Sequence, residues 1–284
     1  MRIFEALRSS SNALSLSEIE NPRVDSEILL AATLGKNRSF LLAHNKDSVD
    51  ESVLSTFFLK VKERCSGKPL QYITGKQEFC GLDFKVSPDV LIPRPETELL
   101  VEETLKQLSE EPLNLVDVGT GSGCLAVTLA TYLTQTEFWA IDLSKLALQV
   151  AKKNALRHHV RKRIQFLHGN LLTPLHSQVK KKSIDIIVCN PPYINLDELI
   201  LLQREVKDWE PHLALVGDVS ESNIYSRLAS QALLWLKPEG ILILEIGMGM
   251  KEKVCHLFQA PWNLLNVLQD FNGIPRVVVA KKTV

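Results

Sequence analysis

An α/β fold, a parallel sheet with helices on both faces preceded by a small helical domain, is what the sequence predicts from three observations. After residue 110 apolar strand-like runs alternate with helical segments, as in chains that lay crossover helices over a parallel sheet. The first of these runs leads directly into Gly119-Thr120-Gly121-Ser122-Gly123 and then a helix. Upstream, apolar residues recur at helical spacing to about residue 75 and then change to two-residue alternation.

Residues 1–76 read as short helices: Ile28-Leu29-Leu30 with Leu34 is closed by Gly35, and Leu54, Phe57 and Phe58 align with Val61. This domain lacks the basic stripe of a DNA-reading module, and its expected roles are docking a partner protein, such as a protein substrate, or stabilising the fold. Residues 77–95 read as a hairpin linker, with alternation from Glu78 to Leu91 and turn signals at Gly81 and Ser87-Pro88. In Ile92-Pro93-Arg94-Pro95-Glu96-Thr97-Glu98 a proline near a helix start is followed by first-turn acids, which helix initiation alone accounts for. Residues 96–284 carry the alternating pattern, with strands expected at 113–118, 138–141, 164–167, 184–189, 241–246, 264–268 and 276–280. Helices are expected to start at Ser122, Ser144, Glu221 and Met250.

The chain of 284 residues is 45% hydrophobic, enough for a substantial core and two domains. Lys+Arg and Asp+Glu are both 33, so the net charge of +0 gives no global field for a polyanion, which argues against nucleic acid. Five cysteines form no CxxC pair and read as reduced. The N-terminus has no apolar core of signal-peptide length and no stretch could span a bilayer, so a cytoplasmic protein without a membrane partner is expected. No histidine or acid cluster has metal-ligand spacing, so no catalytic metal is expected. Arg157 to Arg163, with His158-His159, reads as a solvated helix end.

Asp117 to Gly123 suits close approach of a ligand to the backbone. It is neither a dinucleotide fingerprint nor a P-loop, since Cys124 stands where the former needs glycine and no Gly-Lys-Ser/Thr follows. The acid at Asp117 disfavours a pyrophosphate and favours a cationic ligand. Asp142 ends the second strand, where it can accept from ribose hydroxyls or serve as a helix-start acid before Ser144. Asn170 can meet an adenine ring. Together these features describe a cationic adenosine ligand, and S-adenosylmethionine fits.

Asn190-Pro191-Pro192-Tyr193 follows the apolar run Ile184 to Cys189. An amide, two stiff prolines and a ring can hold a planar NH2 group. Taken alone, a Pro-Pro pair is better explained as a strand terminator.

These residues resemble the class I S-adenosylmethionine-dependent methyltransferases, Rossmann-like α/β enzymes, and specifically the HemK/PrmC family of peptide chain release factor N5-glutamine methyltransferases. The resemblance runs through Thr74 to Phe79, Leu91 to Glu98, Asp117 to Gly123, Asn190 to Tyr193, Glu210-Pro211 with Ala214-Leu215, Leu244 to Gly247 and Arg276 to Val278. It implies methylation of the glutamine of a Gly-Gly-Gln tripeptide in class 1 release factors, with S-adenosyl-L-homocysteine as product. It also implies that Gly119, Thr120, Gly121, Ser122, Gly123, Asp142, Asn170 and Leu171 line the cofactor site, with Asn190 adjoining it. Asn190, Pro191, Pro192 and Tyr193 would bind the glutamine, and Asn190, Pro191 and Tyr193 would act in catalysis. Asn190 Oδ1 and the Pro191 carbonyl would accept the two amide hydrogens while Tyr193 packs over the amide, with no strong base required. Asn170 stands where an acid is expected, and Val216-Gly217-Asp218-Val219 lacks the usual double glycine. The rivals are a ribosomal-protein glutamine, adenine N6 in nucleic acid, and a non-catalytic S-adenosylmethionine-binding module.

Overall fold

The computed structural model describes residues 1–108, 113–217 and 224–283, and the chain divides into two compact units. The first is Met1–Lys76 joined by the remote segment Leu202–Trp209. Helices Ile3–Leu16, Pro22–Leu34, Arg38–Ala43, Glu51–Cys65 and Leu70–Thr74 bury Leu14, Leu29, Leu30, Leu41 and Phe57 in one core. Gly35, at φ 64°, ends the second helix in the left-handed conformation that favours glycine. Arg64 is buried between Asp25 Oδ2 at 2.7 Å and Glu205 Oε2 at 2.8 Å, which ties residues 202–209 to this helical unit.

The second unit is Gln77–Leu201 with Glu210–Val284. Its strands are β1 (Lys76–Phe79), β2 (Leu82–Lys85), β3 (Asn114–Val118), β4 (Glu137–Asp142), β5 (Ile164–His168), β6 (Ile184–Cys189), β7 (Leu236–Glu245), β8 (Trp262–Gln269) and β9 (Pro275–Lys282). β1 and β2 form a two-stranded hairpin. Its turn residues Cys80 and Gly81 both have positive φ, 49° and 76°, as the tightest hairpin turns require. Asn154, fully buried, exchanges hydrogen bonds with the backbone of Lys85 and donates to the Ser122 carbonyl at 2.8 Å, so one amide joins hairpin, helix and glycine turn.

The large sheet runs β5-β4-β3-β6-β7-β9-β8. β3 to β7 are parallel, but β9 is antiparallel to β7 and β8 to β9, so the sheet is mixed rather than wholly parallel. The cause is local: the turn at Asp270 to Gly273, closed by Gly273 N–H donating to the Asp270 carbonyl at 2.9 Å, reverses the chain at once. Alternate residues enter opposite cores, with Val116, Val118, Ile187 and Leu242 on one face and Leu115, Ile186, Val188 and Ile243 on the other. Helices Cys124–Tyr132 and Lys145–Arg157 begin close to the expected Ser122 and Ser144, and Ser144 caps the latter by accepting from Ala147 N–H at 3.1 Å. The helix expected from Glu221 is described over Ile224–Trp235, and its expected start lies outside the described residues. Strand order reverses direction between β3 and β6, and their carboxyl ends bound the crevice where such sheets bind ligands.

Candidate active site

Both signature segments leave the sheet at that crevice: the glycine turn follows β3 and Asn190 follows β6. Gly119 and Thr120 N–H groups donate to the Ile141 carbonyl at 2.9 and 3.0 Å, which folds the turn back on β4. Gly119, Gly121 and Gly123 have φ of 74°, 54° and 83°. At Gly123 a Cβ would also come within 3.1 Å of the Ala151 side chain, so helix packing as well as backbone conformation demands glycine.

The two acids of this wall have different positions. Asp117 is fully buried beneath the turn, where its Oδ2 accepts from Thr120 Oγ1 at 2.6 Å and Ala126 N–H at 3.2 Å. Among the described residues its Oδ1 has no hydrogen-bond partner, and burial pushes the group up to about 7. Asp117 is not on the cavity wall, so its support for a ligand acts through the shape of the turn. Asp142 does reach the cavity. Its Oδ1 accepts from Ser144 N–H at 2.7 Å and its Oδ2 from Gly121 N–H at 2.8 Å. Helix-start acid and ligand acceptor are therefore compatible roles, because a carboxylate has lone pairs left after two bonds. Burial raises its pKa.

A cavity of about 400 Å³ has Gly119, Gly121, Asp142, Asn170 and Leu171 on its wall, with Asn190, Pro191 and Pro192 also lining it. Thr120, Ser122 and Gly123, expected at the cofactor, do not line it; they build the turn from beneath. Tyr193 is likewise absent from that wall. Its half-buried ring lies so close to Gly247 that a Cβ there would fall 2.8 Å from Tyr193 Cδ2. Burial pushes its hydroxyl up to about 12, so it is neutral at ordinary pH.

The chain after the motif meets Val216 and Gly217 beside it. Ile194 bridges to Val216, and Gly217 N–H donates to the Ile194 carbonyl at 3.1 Å. A Cβ on Gly217 would stand 2.9 Å from the Pro192 carbonyl oxygen, which explains glycine at this crossing; Asp218 and Val219 lie outside the described residues. Glu210, buried, accepts from Ile92 N–H at 3.2 Å and from the Arg94 guanidinium, which anchors the far end of the segment to the proline-rich run.

Two residues behind the motif, Thr97 and Glu245, are assigned no role by the sequence. Asn190 Nδ2 donates to Thr97 Oγ1 at 3.0 Å, and Thr97 Oγ1 donates to Glu245 Oε2 at 2.7 Å. Glu245 is 2% exposed, and burial pushes it up to about 7. The motif contains no acid, yet its amide is wired to one. Both fall in segments that carry the family resemblance, Thr97 in Leu91 to Glu98 and Glu245 in Leu244 to Gly247, but neither segment by itself shows a contact with Asn190.

The lining fits S-adenosylmethionine: an acid with free lone pairs at the cavity, turn residues Gly119 and Gly121 that present backbone there, and apolar Leu171 and Ile141 beside them. Among the described residues no group of three or more His, Cys, Asp or Glu is placed to hold a metal ion. No described helix is long and apolar enough to cross a membrane.

Two family models match the chain, one described as the PrmC N-terminal domain over residues 5–75 and one as the methyltransferase small domain over 95–219. A release factor glutamine methyltransferase of Koribacter versatilis is 39% identical over 283 residues, 99% of each chain. Another, of Geobacter sulfurreducens, is 40% identical over 261 residues, 92% of this chain and 89% of the relative. A solved methyltransferase structure from Pyrococcus furiosus superposes with TM-score 0.50 at 16% identity, covering 72% of this chain and 91% of that one, a likeness of fold. The sheet and the matching models thus define a class I S-adenosylmethionine-dependent methyltransferase. Near-full-length identity narrows the class, and the chain belongs to the release factor glutamine methyltransferase family.

Proposed function

We propose that this protein methylates the side-chain amide nitrogen of the glutamine in the Gly-Gly-Gln tripeptide of class 1 release factors, in the cytoplasm where they act. The observation that supports the reading is one cavity shared by both segments, lined by Gly119, Gly121 and Asp142 and also by Asn190, Pro191 and Pro192. Gly119, Gly121, Asp142, Asn170 and Leu171 would hold the cofactor, with Thr120, Ser122 and Gly123 shaping the turn. When bound, S-adenosylmethionine supplies an electrophilic methyl group and leaves as S-adenosylhomocysteine.

A carboxamide nitrogen is a poor nucleophile because its lone pair is delocalised into the carbonyl. Asn190 Oδ1 and the Pro191 carbonyl oxygen would accept its two hydrogens and turn the lone pair out of conjugation toward the cofactor wall. The Tyr193 ring, held against Gly247, would flank the amide and stabilise the charge that develops on nitrogen. Once the new C–N bond forms, the nitrogen proton is acidic enough to pass to water.

Labelled S-adenosylmethionine incubated separately with a release factor, its tripeptide Gln→Ala variant, a ribosomal-protein mixture and an adenine-rich oligonucleotide tests this reading. Label confined to the intact release factor is expected. Label on the oligonucleotide or ribosomal proteins instead, or on none of the four, would overturn it.

A further inference from the structure

An amide has two ends of similar shape and opposite hydrogen-bonding character, so Asn190 can serve as an acceptor only if something decides which end faces the substrate. Parallel pairing of Cys189 with Leu244 brings Asn190, the next residue on one chain, level with Glu245, the next on the other. Thr97 completes the set, bonded to Glu245 Oε2 at 2.7 Å and to Asn190 Nδ2 at 3.0 Å. A hydroxyl has one hydrogen to donate, and an ionised carboxylate only accepts. Thr97 must therefore donate to Glu245, and its oxygen is left to accept. Only the NH2 end of Asn190 satisfies it, so Oδ1 turns away from Thr97.

Protonation inverts this logic. A neutral Glu245 can donate to Thr97, the Thr97 hydrogen becomes available, and the three groups close equally well with Asn190 Oδ1 turned inward. The Asn190 NH2 would then meet the NH2 of a substrate amide, donor against donor. We propose that Thr97 and Glu245 are positioning residues that set which end of the Asn190 amide meets the glutamine, and that the charge on Glu245 holds the productive setting. This rests on the reading of Asn190 as the glutamine acceptor.

The surroundings make such a switch accessible near neutral pH. Burial raises Glu245, while the Thr97 hydrogen bond, Arg276 and the Asn190 amide lower it and Glu96 raises it, leaving it near 7. The other titratable groups around it, Tyr193, Tyr225 and Cys189, are all pushed upward by burial and stay neutral through that range; the Tyr225 hydroxyl donates to the Glu245 backbone carbonyl at 3.2 Å. Activity is thus expected above the Glu245 pKa and lost as pH falls through it.

Turnover of the full-length enzyme on an intact release factor, at saturating cofactor from pH 5.5 to 8.5 (a range spanning about one and a half units either side of the group), tests the switch. Wild type should show an acidic limb with midpoint near 7. Glu245→Gln should lose that limb and run roughly tenfold lower above it, because a neutral amide can present either end to Thr97. Thr97→Val should lose about tenfold or more at every pH, while Thr97→Ser restores both rate and limb. Apart from turnover, the Asn190 side-chain NH2 resonances should shift with pH in wild type and not in Glu245→Gln. A limb that persists in Glu245→Gln, or wild-type turnover and profile in Thr97→Val, would overturn the proposal. If Thr97→Val does not fold, the Glu245→Gln profile and the NH2 resonances still decide. Asn190→Ala separates the layers: if it is inactive while the Thr97 and Glu245 variants behave as wild type, only the switch fails. Should Asn190→Ala itself turn over normally, the glutamine-acceptor reading fails first.

Discussion

The two walls of the cavity are built in different ways. The glycine-turn side, proposed for the cofactor, is local: Asp117 bonds Thr120 three residues away, and Asp142 bonds Ser144 two residues away and Gly121 across one strand crossover. The Asn190 side, proposed for the substrate, is backed by distant chain, with 93 residues separating Thr97 from Asn190 and 148 separating it from Glu245. Local hydrogen bonds form with the turn that contains them, whereas the distant ones exist only once the sheet has set β6 and β7 in register. Each side also buries one carboxyl group pushed up to about 7 behind the cavity lining, Asp117 bonded to Thr120 within the turn and Glu245 bonded to Thr97, which in turn accepts from Asn190.

The sharpest way to break this division is Asn190→Ala. It should lower turnover by at least about a hundredfold, the weight of one preorganised hydrogen-bond acceptor removed from the transition state, and shift cofactor affinity by less than roughly tenfold. Asp142→Ala should do the reverse, weakening cofactor binding by about tenfold or more in calorimetry, with turnover largely recovered at saturating cofactor. An unchanged dissociation constant would remove Asp142 from the site.

The buried acids sharpen the comparison through pH. A carboxyl whose folded pKa exceeds its unfolded value keeps its proton in the fold after the unfolded chain has lost it, so stability is lost as pH rises between the two. For Asp117 that window runs from 3.8 to about 7. The urea midpoint of Asp117→Asn, relative to wild type, should therefore improve across it, while the pH profile of turnover at saturating cofactor keeps its limb. The smallest effect is expected of Tyr193→Phe. Its hydroxyl is neutral at ordinary pH and the ring face is what flanks the amide, so turnover should fall less than about threefold. A hundredfold loss would reassign the hydroxyl.

What the sequence made legible follows the same division. The strands from 114 to 189 and the helices after Ser122 and Ser144 were readable because apolar periodicity and caps are local properties. The antiparallel β8 and β9 were legible as strands but not in direction, since direction depends on the turn at Asp270 to Gly273. Grouping of Leu202–Trp209 with the helical unit hangs on Arg64 meeting Glu205, a pairing with no periodic signal. Asn190 was conspicuous beside two prolines. Thr97 read as a helix-start residue and Glu245 as a strand end, because neither meets Asn190 until the chain is folded.

The proposed chemistry requires Asn190 to act on the glutamine and Asp142 on the cofactor. Single-turnover methyl transfer to a release factor, with Asn190→Ala and Asp142→Ala compared at rising S-adenosylmethionine, measures both at once. Asp142→Ala should approach the wild-type rate as cofactor saturates, and Asn190→Ala should stay at least about a hundredfold slower at every concentration. A near-normal rate for Asn190→Ala at saturation would contradict the central claim.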